Sequence, residues 1–282
     1  MHLIMIRSRT LWVTAFIVTV AVAYYQRVTG PTYSLTGTTR LSGIEIQYKL
    51  LRSHGGETNA PVVVQIADST ILGFLEWKHF KSEDPWSKVK MKYVDGALSS
   101  ELPHQPPAGK LQYRLTLARG NEAAVIPANE PAVIRFKGDV PFIILIPHIL
   151  AMFGSMFLAA RAGLEYFNQQ SNLRKLTNWT MVFLFIGGFI LGPLVQKYAF
   201  GAWWTGWPYG YDLTDNKTAI ALLAWICAAF ALKKSKQPKV WALGAAIVMF
   251  VVYLIPHSLL GSEIDYHTVD RKGVVIDSTA GR

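Results

Sequence analysis

The chain has 282 residues and a formal net charge of +10, yet only 16% of its residues are charged and 51% are apolar. A basic chain often binds nucleic acid. This charged fraction is well below the roughly 25% of a soluble domain, so the composition favours a membrane protein instead. The one cysteine, Cys227, excludes a disulfide within the chain and a zinc site built from several thiolates.

The first apolar run, Leu11–Tyr24, follows Arg7 and Arg9 and has the pattern of a signal sequence or a signal anchor. It is just long enough for a tilted or slightly short membrane span. We expect residues 1–25 to form an N-terminal transmembrane anchor, that is, an uncleaved signal. Cleavage after the Ala21–Ala23 pattern is the alternative.

Four further apolar runs occur within residues 140–260. They are Val140–Leu164, Trp179–Ala199, Thr218–Leu232 and Val240–Ile255. Each is near the length that crosses the roughly 30 Å hydrocarbon core of a bilayer, and Thr218–Leu232 is the shortest. We therefore predict a membrane α-helical protein with about five transmembrane helices, four of which form a helical domain over residues 140–260.

The basic residues of the short connections predict the orientation of these spans, because cytoplasmic loops are enriched in Lys and Arg. The loop 200–216 contains no basic residue, whereas the other short connections contain Arg7, Arg9, Arg161, Arg174, Lys175, Lys233, Lys234, Lys236 and Lys239. This pattern predicts a bacterial inner-membrane protein with a cytoplasmic N-terminus. Residues 26–139 and the C-terminal tail 261–282 would then be periplasmic. The net charge is explained by orientation, and no nucleic-acid partner is expected.

Residues 26–139 contain short alternating segments separated by turn residues. In Ile44–Leu50 and Leu111–Leu117, apolar residues alternate with polar ones, as in half-buried strands. Several such segments without a helical period predict an antiparallel β-sandwich. The Pro-rich segment Pro103–Lys110 resembles the corner that leads into a late strand of immunoglobulin and fibronectin III domains. The resemblance implies an extracytoplasmic all-β immunoglobulin/fibronectin III-like sandwich, a fold without a fixed function.

A similar hexapeptide occurs twice in the helical region, as Leu145–Leu150 and Leu254–Leu259, with His148 and His257 at matching positions. The predicted orientation puts both on the periplasmic side. An ionisable residue inside a span is a functional candidate, and two neutral imidazoles can ligate a haem iron or another metal. We predict His148 and His257 as ligands of haem b or copper. A proton or quinone role and ordinary hydrogen bonding are the alternatives.

Met152 and Met156 follow His148 at intervals of four residues, so all three are expected on one face of a helix. Thioether sulfur and imidazole suit Cu(I), or a haem held by His and Met. Both methionines are therefore added to the candidate cofactor site, with simple packing as the alternative.

The loop 200–216 is rich in aromatic residues, glycine and proline, and Asp215 or Thr214 is expected to cap the helix that follows. Trp and Tyr are enriched both at membrane interfaces and at protein-binding hot spots. We predict that five aromatic side chains bind a partner: Trp203, Trp204, Trp207, Tyr209 and Tyr211. Anchoring in the interface, or a platform for a sugar or a quinone, is the alternative.

The sequence contains no P-loop, GxSxG, HExxH or CxxCH motif, and it nominates no nucleophile with a base. We therefore expect a non-enzymatic accessory or assembly subunit of a larger respiratory or photosynthetic membrane complex. Its partners would be the lipid bilayer and other subunits of that complex. A membrane redox protein that binds haem or copper and a small-solute permease are the alternative functions.

Overall fold

The computed structural model describes residues 8–168 and 171–256, together with 263–264, 266 and 276–277. The helices in these ranges are α1 (Ser8–Thr29), α2 (Phe142–Leu164), α3 (Leu173–Phe185), α4 (Gly192–Phe200), α5 (Leu213–Lys234) and α6 (Pro238–Leu254). A 3-10 turn, Glu165–Phe167, extends α2. A π-helical turn, Ile186–Leu191, joins α3 to α4.

Among the described residues, four helices are long and apolar enough to cross a membrane: Ser8–Thr29, Phe142–Phe167, Leu173–Phe200 and Leu213–Lys234. The prediction of about five transmembrane helices is therefore wrong. The helix that is too short is α6, with 17 residues. Thr218–Leu232, the shortest of the four apolar runs within residues 140–260, lies within α5, which has 22 residues. Prolines limit α6, because Pro238 occupies its first turn and Ile255, directly before Pro256, is forced into an extended conformation.

The strands before α2 are β1 (Leu35–Leu41), β2 (Ile44–Leu50), β3 (Ser53–Gly55), β4 (Ala60–Gln65), β5 (Leu72–His79), β6 (Ser87–Lys90), β7 (Lys92–Val94), β8 (Ala97–Leu102), β9 (Lys110–Arg119), β10 (Glu122–Ile126) and β11 (Ala132–Lys137). Two short strands follow α6, β12 (Glu263–Ile264) and β13 (Ile276–Asp277), and they pair with each other. The alternating segments of the sequence coincide with strands, and Ile44–Leu50 is β2.

The immunoglobulin/fibronectin III-like sandwich is also wrong. The strands between α1 and α2 form three sheets. One contains β3, β11, β9, β5 and β6 in that order, with β10 also on β9; a second contains β4, β8 and β7; β1 and β2 form a ribbon of their own. In addition, β3 and β11 pair in parallel, whereas the predicted sandwich is antiparallel throughout. The alternation that revealed the strands is local and contains no information about their partners.

The core of this strand domain follows from the alternation along β9. Leu111, Tyr113, Leu115 and Leu117 all point inward and are fully buried, and the residues between them are partly exposed. The Tyr113 hydroxyl donates a hydrogen bond to the Leu51 carbonyl at 2.7 Å. Burial raises the pKa of Tyr113 above its ordinary value, so this hydroxyl stays a hydrogen-bond donor.

The helices pack through small residues around one large one, Trp225, which is fully buried on α5. Its indole N–H donates to the Met249 sulfur at 3.2 Å. Small side chains in the same buried cluster let the helix axes approach closely; they include Ala159, Ala162, Ala221, Ala228, Ala242 and Ala245. At Gly163 a Cβ atom would lie 2.7 Å from Ala246, so α2 and α6 touch almost backbone to backbone.

The strand domain contacts one end of the helical region directly. The Gly138 N–H donates to the Ala199 carbonyl at 3.0 Å. The Arg135 guanidinium of β11 lies 5.1 Å above the Phe200 ring of α4. After α6, the Tyr266 hydroxyl accepts from the Lys110 N–H at 3.0 Å. The end of α4 and the segment after α6 are therefore both tied to the strand domain.

Candidate functional site

A cavity of about 320 Å³ lies where the helices meet the strand domain; we call it the junction cavity. Its polar lining residues are Gln26, Arg135, His148, Gln196, Asp212, Thr214, Asp215, Thr218 and Tyr253, and its apolar ones include Ile149, Met152, Phe153, Met156, Val195 and Phe200. The cavity thus joins residues from five helices, the π-helical turn, the loop before α5 and one strand. A volume of this size is sufficient for a small ligand.

His148 is held in place by the π-helical turn. Its Nδ1 atom donates to the Gly187 carbonyl at 2.9 Å, and the same carbonyl accepts from the Gly192 N–H five residues further on. Pro193 cannot donate to the carbonyl four residues before it, which favours the wider turn here. Since a carbonyl only accepts, Nδ1 must carry the proton, and in the neutral ring Nε2 is an acceptor.

Met152 and Met156 line the same wall of the cavity as His148. The Tyr253 hydroxyl lies 3.8 Å from the Met152 sulfur. Within the described ranges, no three His, Cys, Asp or Glu side chains form a group that could hold a metal ion. His257 lies outside the described residues. A haem b or copper site that uses these residues therefore stays a prediction.

Two buried carboxylates hold the loop 201–212 against the start of α5. One oxygen of Asp215 accepts from the Thr205 N–H at 2.7 Å and from the Gly206 N–H at 3.0 Å. Asp212 accepts from the Thr214 N–H at 2.7 Å and therefore caps α5. The expectation that Asp215 or Thr214 would be the cap is wrong, because the helix begins earlier and Asp215 points back to the loop.

Further contacts order the middle of the loop. The Asn216 side-chain oxygen accepts from the Trp207 N–H at 2.7 Å. The Trp204 ring stacks on Phe189 with 5.6 Å between the ring centroids, and its indole N–H donates to the Trp207 carbonyl at 3.2 Å. The loop is thus a folded unit: side chains of α5 accept from three consecutive backbone N–H groups, and loop carbonyls accept from those of Tyr209, Gly210 and Asp212.

Four of the five predicted partner-binding aromatics are exposed on this folded loop. They are Trp203, Trp207, Tyr209 and Tyr211, while Trp204 is half-buried under the stack with Phe189. Trp207 is 75% exposed and Tyr209 77%. An exposed aromatic on a fixed backbone loses little conformational entropy on binding, which favours its use in recognition.

Sequence reasoning missed several polar residues of the junction cavity, among them Gln26, Arg135 and Gln196. Gln26 belongs to α1, and Arg135 is a strand residue only 6% exposed. Gln196 donates to the Thr205 hydroxyl at 2.6 Å. The available signal was weak: Gln26 and Gln196 are isolated amides near the ends of apolar runs, where polar residues are ordinary.

The opposite end of the helical region carries a separate buried ion pair. Arg161 and Glu165, i and i+4 on the same helix, lie 2.5 Å apart at their charged atoms. They are 2% and 0% exposed. Asn168 donates to Glu165 at 3.0 Å, and the Lys239 ammonium donates to the Asn168 carbonyl. Residues four apart on a helix are neighbours, and this pair, through Asn168 and Lys239, connects α2 to the start of α6.

No protein-family model matches the chain, and comparison with curated proteins and with solved structures finds no significant similarity. The function therefore has to be argued from the site itself, and a fold-level analogy would in any case not supply it.

Proposed function

We propose that the chain is a non-enzymatic accessory subunit of a larger complex in the bacterial inner membrane. It binds its partner through the exposed aromatic side chains of the loop 201–212. The rest of the helical region fixes this loop at one end of the bundle, next to the strand domain. A respiratory or photosynthetic complex, in which several membrane subunits pack side by side, is the setting we propose.

One observation supports this proposal most: the aromatic side chains are exposed although the loop that carries them is rigid. Asp215 and Asn216 accept from the backbone N–H groups of Thr205, Gly206 and Trp207, while the side chains of Trp207 and Tyr209 are exposed. A preordered surface of this kind favours binding of a protein partner. The loop is already ordered by folding, so binding does not cost the conformational entropy of ordering it.

The contacts of α6 support the proposed orientation, in which the strand domain and the loop lie together on the periplasmic side. Lys239, near the start of α6, contacts the segment after α2. Near the other end of α6, the Tyr253 carbonyl accepts from Gln26 of α1 at 2.6 Å. The chain then reaches Tyr266, which contacts Lys110. The lysines Lys233 and Lys236 would be cytoplasmic, as the positive-inside rule requires.

Affinity isolation from native membranes in a mild detergent tests the proposal. The tagged wild-type chain should co-purify with one or more membrane proteins in fixed ratio. A Trp207→Ala, Tyr209→Ala double variant should lose at least tenfold of that partner. Trp241→Ala is the matched control, since Trp241 is also exposed, at 51%, but lies on α6 near the opposite end. Recovery of the wild-type chain as a lone monomer would contradict the proposal.

The other two functions, a haem- or copper-binding redox protein and a small-solute permease, stay predictions. The first depends on His257, which lies outside the described residues. The second would need a polar path along the bundle, and the fully buried Trp225 lies at the centre of the helix packing.

A further inference from the structure

The junction cavity has a polar part and an apolar part that follow the axis of α2. His148 lies on its polar side, and Met156 lies two helical turns further along α2, which is a rise of about 12 Å. Ile149 and Phe153, which also line the cavity, are 37% and 43% exposed. In a bilayer such exposed side chains of α2 face lipid. The cavity is therefore accessible from the side to an amphipathic molecule.

The polar side offers acceptors. His148 uses Nδ1 as a donor to a carbonyl, which leaves Nε2 as an acceptor, and no bond to Nε2 occurs among the described residues. Gln26 uses its amide nitrogen to donate to the Tyr253 carbonyl at 2.6 Å. Its amide oxygen is therefore the atom left for a ligand, and oxygen only accepts.

Gln196 adds a third acceptor by the same argument. The Thr205 hydroxyl lies 3.2 Å from an Asp212 oxygen and 3.3 Å from an Asp215 oxygen. Since carboxylates only accept, the hydroxyl proton points to them. Gln196, 2.6 Å from the same hydroxyl oxygen, must then donate to it with its amide nitrogen. The amide oxygen of Gln196 remains as an acceptor.

The charges of the lining argue against a charged headgroup. Asp212 and Asp215 repel phosphate and carboxylate groups at this end of the cavity. Both already accept hydrogen bonds from the loop and from Thr214, so neither depends on a cationic ligand. Arg135, whose guanidinium lies over Phe200, disfavours a cation on the same wall.

We propose that the junction cavity binds a lipid with an uncharged ring headgroup that donates hydrogen bonds through hydroxyl groups, that is, a molecule of the quinol class. The hydroxyls donate to His148 Nε2 and to the amide oxygens of Gln26 and Gln196. The tail of the ligand lies along the apolar wall near Met156 and leaves past Phe153. This site is separate from the exposed aromatics, so it stands or falls independently of the accessory function.

The test is anaerobic calorimetric titration of the full purified chain in uncharged detergent with a ubiquinol that carries one isoprene unit, compared with the corresponding quinone. The quinone has carbonyls where the quinol has hydroxyls and cannot donate. The expected result is saturable one-to-one binding of the quinol, at least tenfold tighter than binding of the quinone. Equal binding of the two forms, tighter binding of the quinone, or no saturable binding would overturn the proposal.

Two variants and one control locate the site. His148→Phe removes the Nε2 acceptor and should weaken quinol binding about tenfold. Val195→Phe fills the cavity from α4 and should abolish binding even if His148→Phe folds poorly. Ile146→Phe is the control, because Ile146 is exposed on α2 and is not part of the cavity lining. Unchanged binding in Val195→Phe, confirmed as folded by its thermal transition, would place the ligand elsewhere and contradict the inference.

Discussion

Asp215 illustrates how a single buried carboxylate can shape a surface several residues away. It satisfies two consecutive backbone N–H groups of the loop, those of Thr205 and Gly206. At Gly206 a Cβ atom would lie 2.6 Å from the Asp215 Cβ atom, so only glycine allows the loop to come this close. The exposure of Trp207 therefore depends on a contact that is itself buried.

Asp215→Ala should destabilise the loop. The substitution leaves the Thr205 and Gly206 N–H groups without their acceptor, and each buried unsatisfied donor costs about 1–3 kcal/mol. Asp215→Asn keeps one acceptor oxygen, and both N–H groups bond to one oxygen in the wild type, so this variant should retain most of the stability. Thermal unfolding in detergent and limited proteolysis of the loop measure the effect. Equal stability of the Ala variant and the wild type would refute the role given to Asp215.

Glu76 of the strand domain gives a prediction of pH dependence. Burial raises the pKa of Glu76, but hydrogen bonds from Arg114 at 2.7 Å and Lys88 at 3.2 Å outweigh it and hold the pKa below its ordinary value of 4.5. A carboxylate with a lowered folded pKa stabilises the fold above its unfolded pKa. That contribution is lost as the pH falls through the folded pKa. The stabilisation by Glu76 should therefore be present above pH 4.5 and disappear below it.

Glu76→Gln removes this pH dependence. Arg114 and Lys88 are partly exposed. Solvent screening therefore limits the loss in free energy of unfolding above pH 4.5 to about 1 kcal/mol. Denaturant unfolding at a series of pH values measures it, and the exposed Glu130→Gln is the control. The curves for wild type and Glu76→Gln should converge at acid pH. Curves that run parallel over the whole range would show that Glu76 has no lowered pKa.

At the scale of elements, the contact between the π-helical turn and α5 depends on Gly188. A Cβ atom at Gly188 would lie 2.5 Å from the Thr218 methyl carbon, whereas one at Gly244 of α6 meets nothing within 4 Å. Gly188→Ala should lower the free energy of unfolding by about 1–3 kcal/mol through overpacking. Gly244→Ala should raise it by up to about 1 kcal/mol through helix propensity. Thermal unfolding of both variants tests these two predictions. Changes of the same sign in the free energy of unfolding would contradict the packing described.

Local patterns predicted the elements well and their partners poorly. The spacing of Arg161 and Glu165 is itself enough to indicate their ion pair, because residues four apart on a helix are neighbours. The spacing of His148, Met152 and Met156 likewise predicted a shared face. The sheets could not be predicted in this way, since β3 pairs with β11 across most of the strand domain. The contact between Arg135 and Phe200 could not be predicted either, because Phe200 lies on a helix far along the chain.

The whole molecule is expected to have one orientation in the membrane, with the strand domain in the periplasm and Lys236 in the cytoplasm. In a Cys227→Ala background, single cysteines are introduced at Glu57, in the strand domain, and at Lys236, between α5 and α6; both positions are exposed. A membrane-impermeant maleimide should label position 57 in intact spheroplasts and position 236 only after lysis. The reverse pattern, or equal labelling of the two positions, would contradict the orientation.

Crosslinking inside the membrane tests whether the exposed aromatics contact a protein. A photo-reactive amino acid is placed at Trp207 or Tyr209, and at Trp241 as the matched exposed control. We expect positions 207 and 209 to give the same protein-sized adduct in growing cells, and position 241 not to give it. Adducts with lipid alone at positions 207 and 209 would show that the loop is a membrane anchor and would contradict the claim.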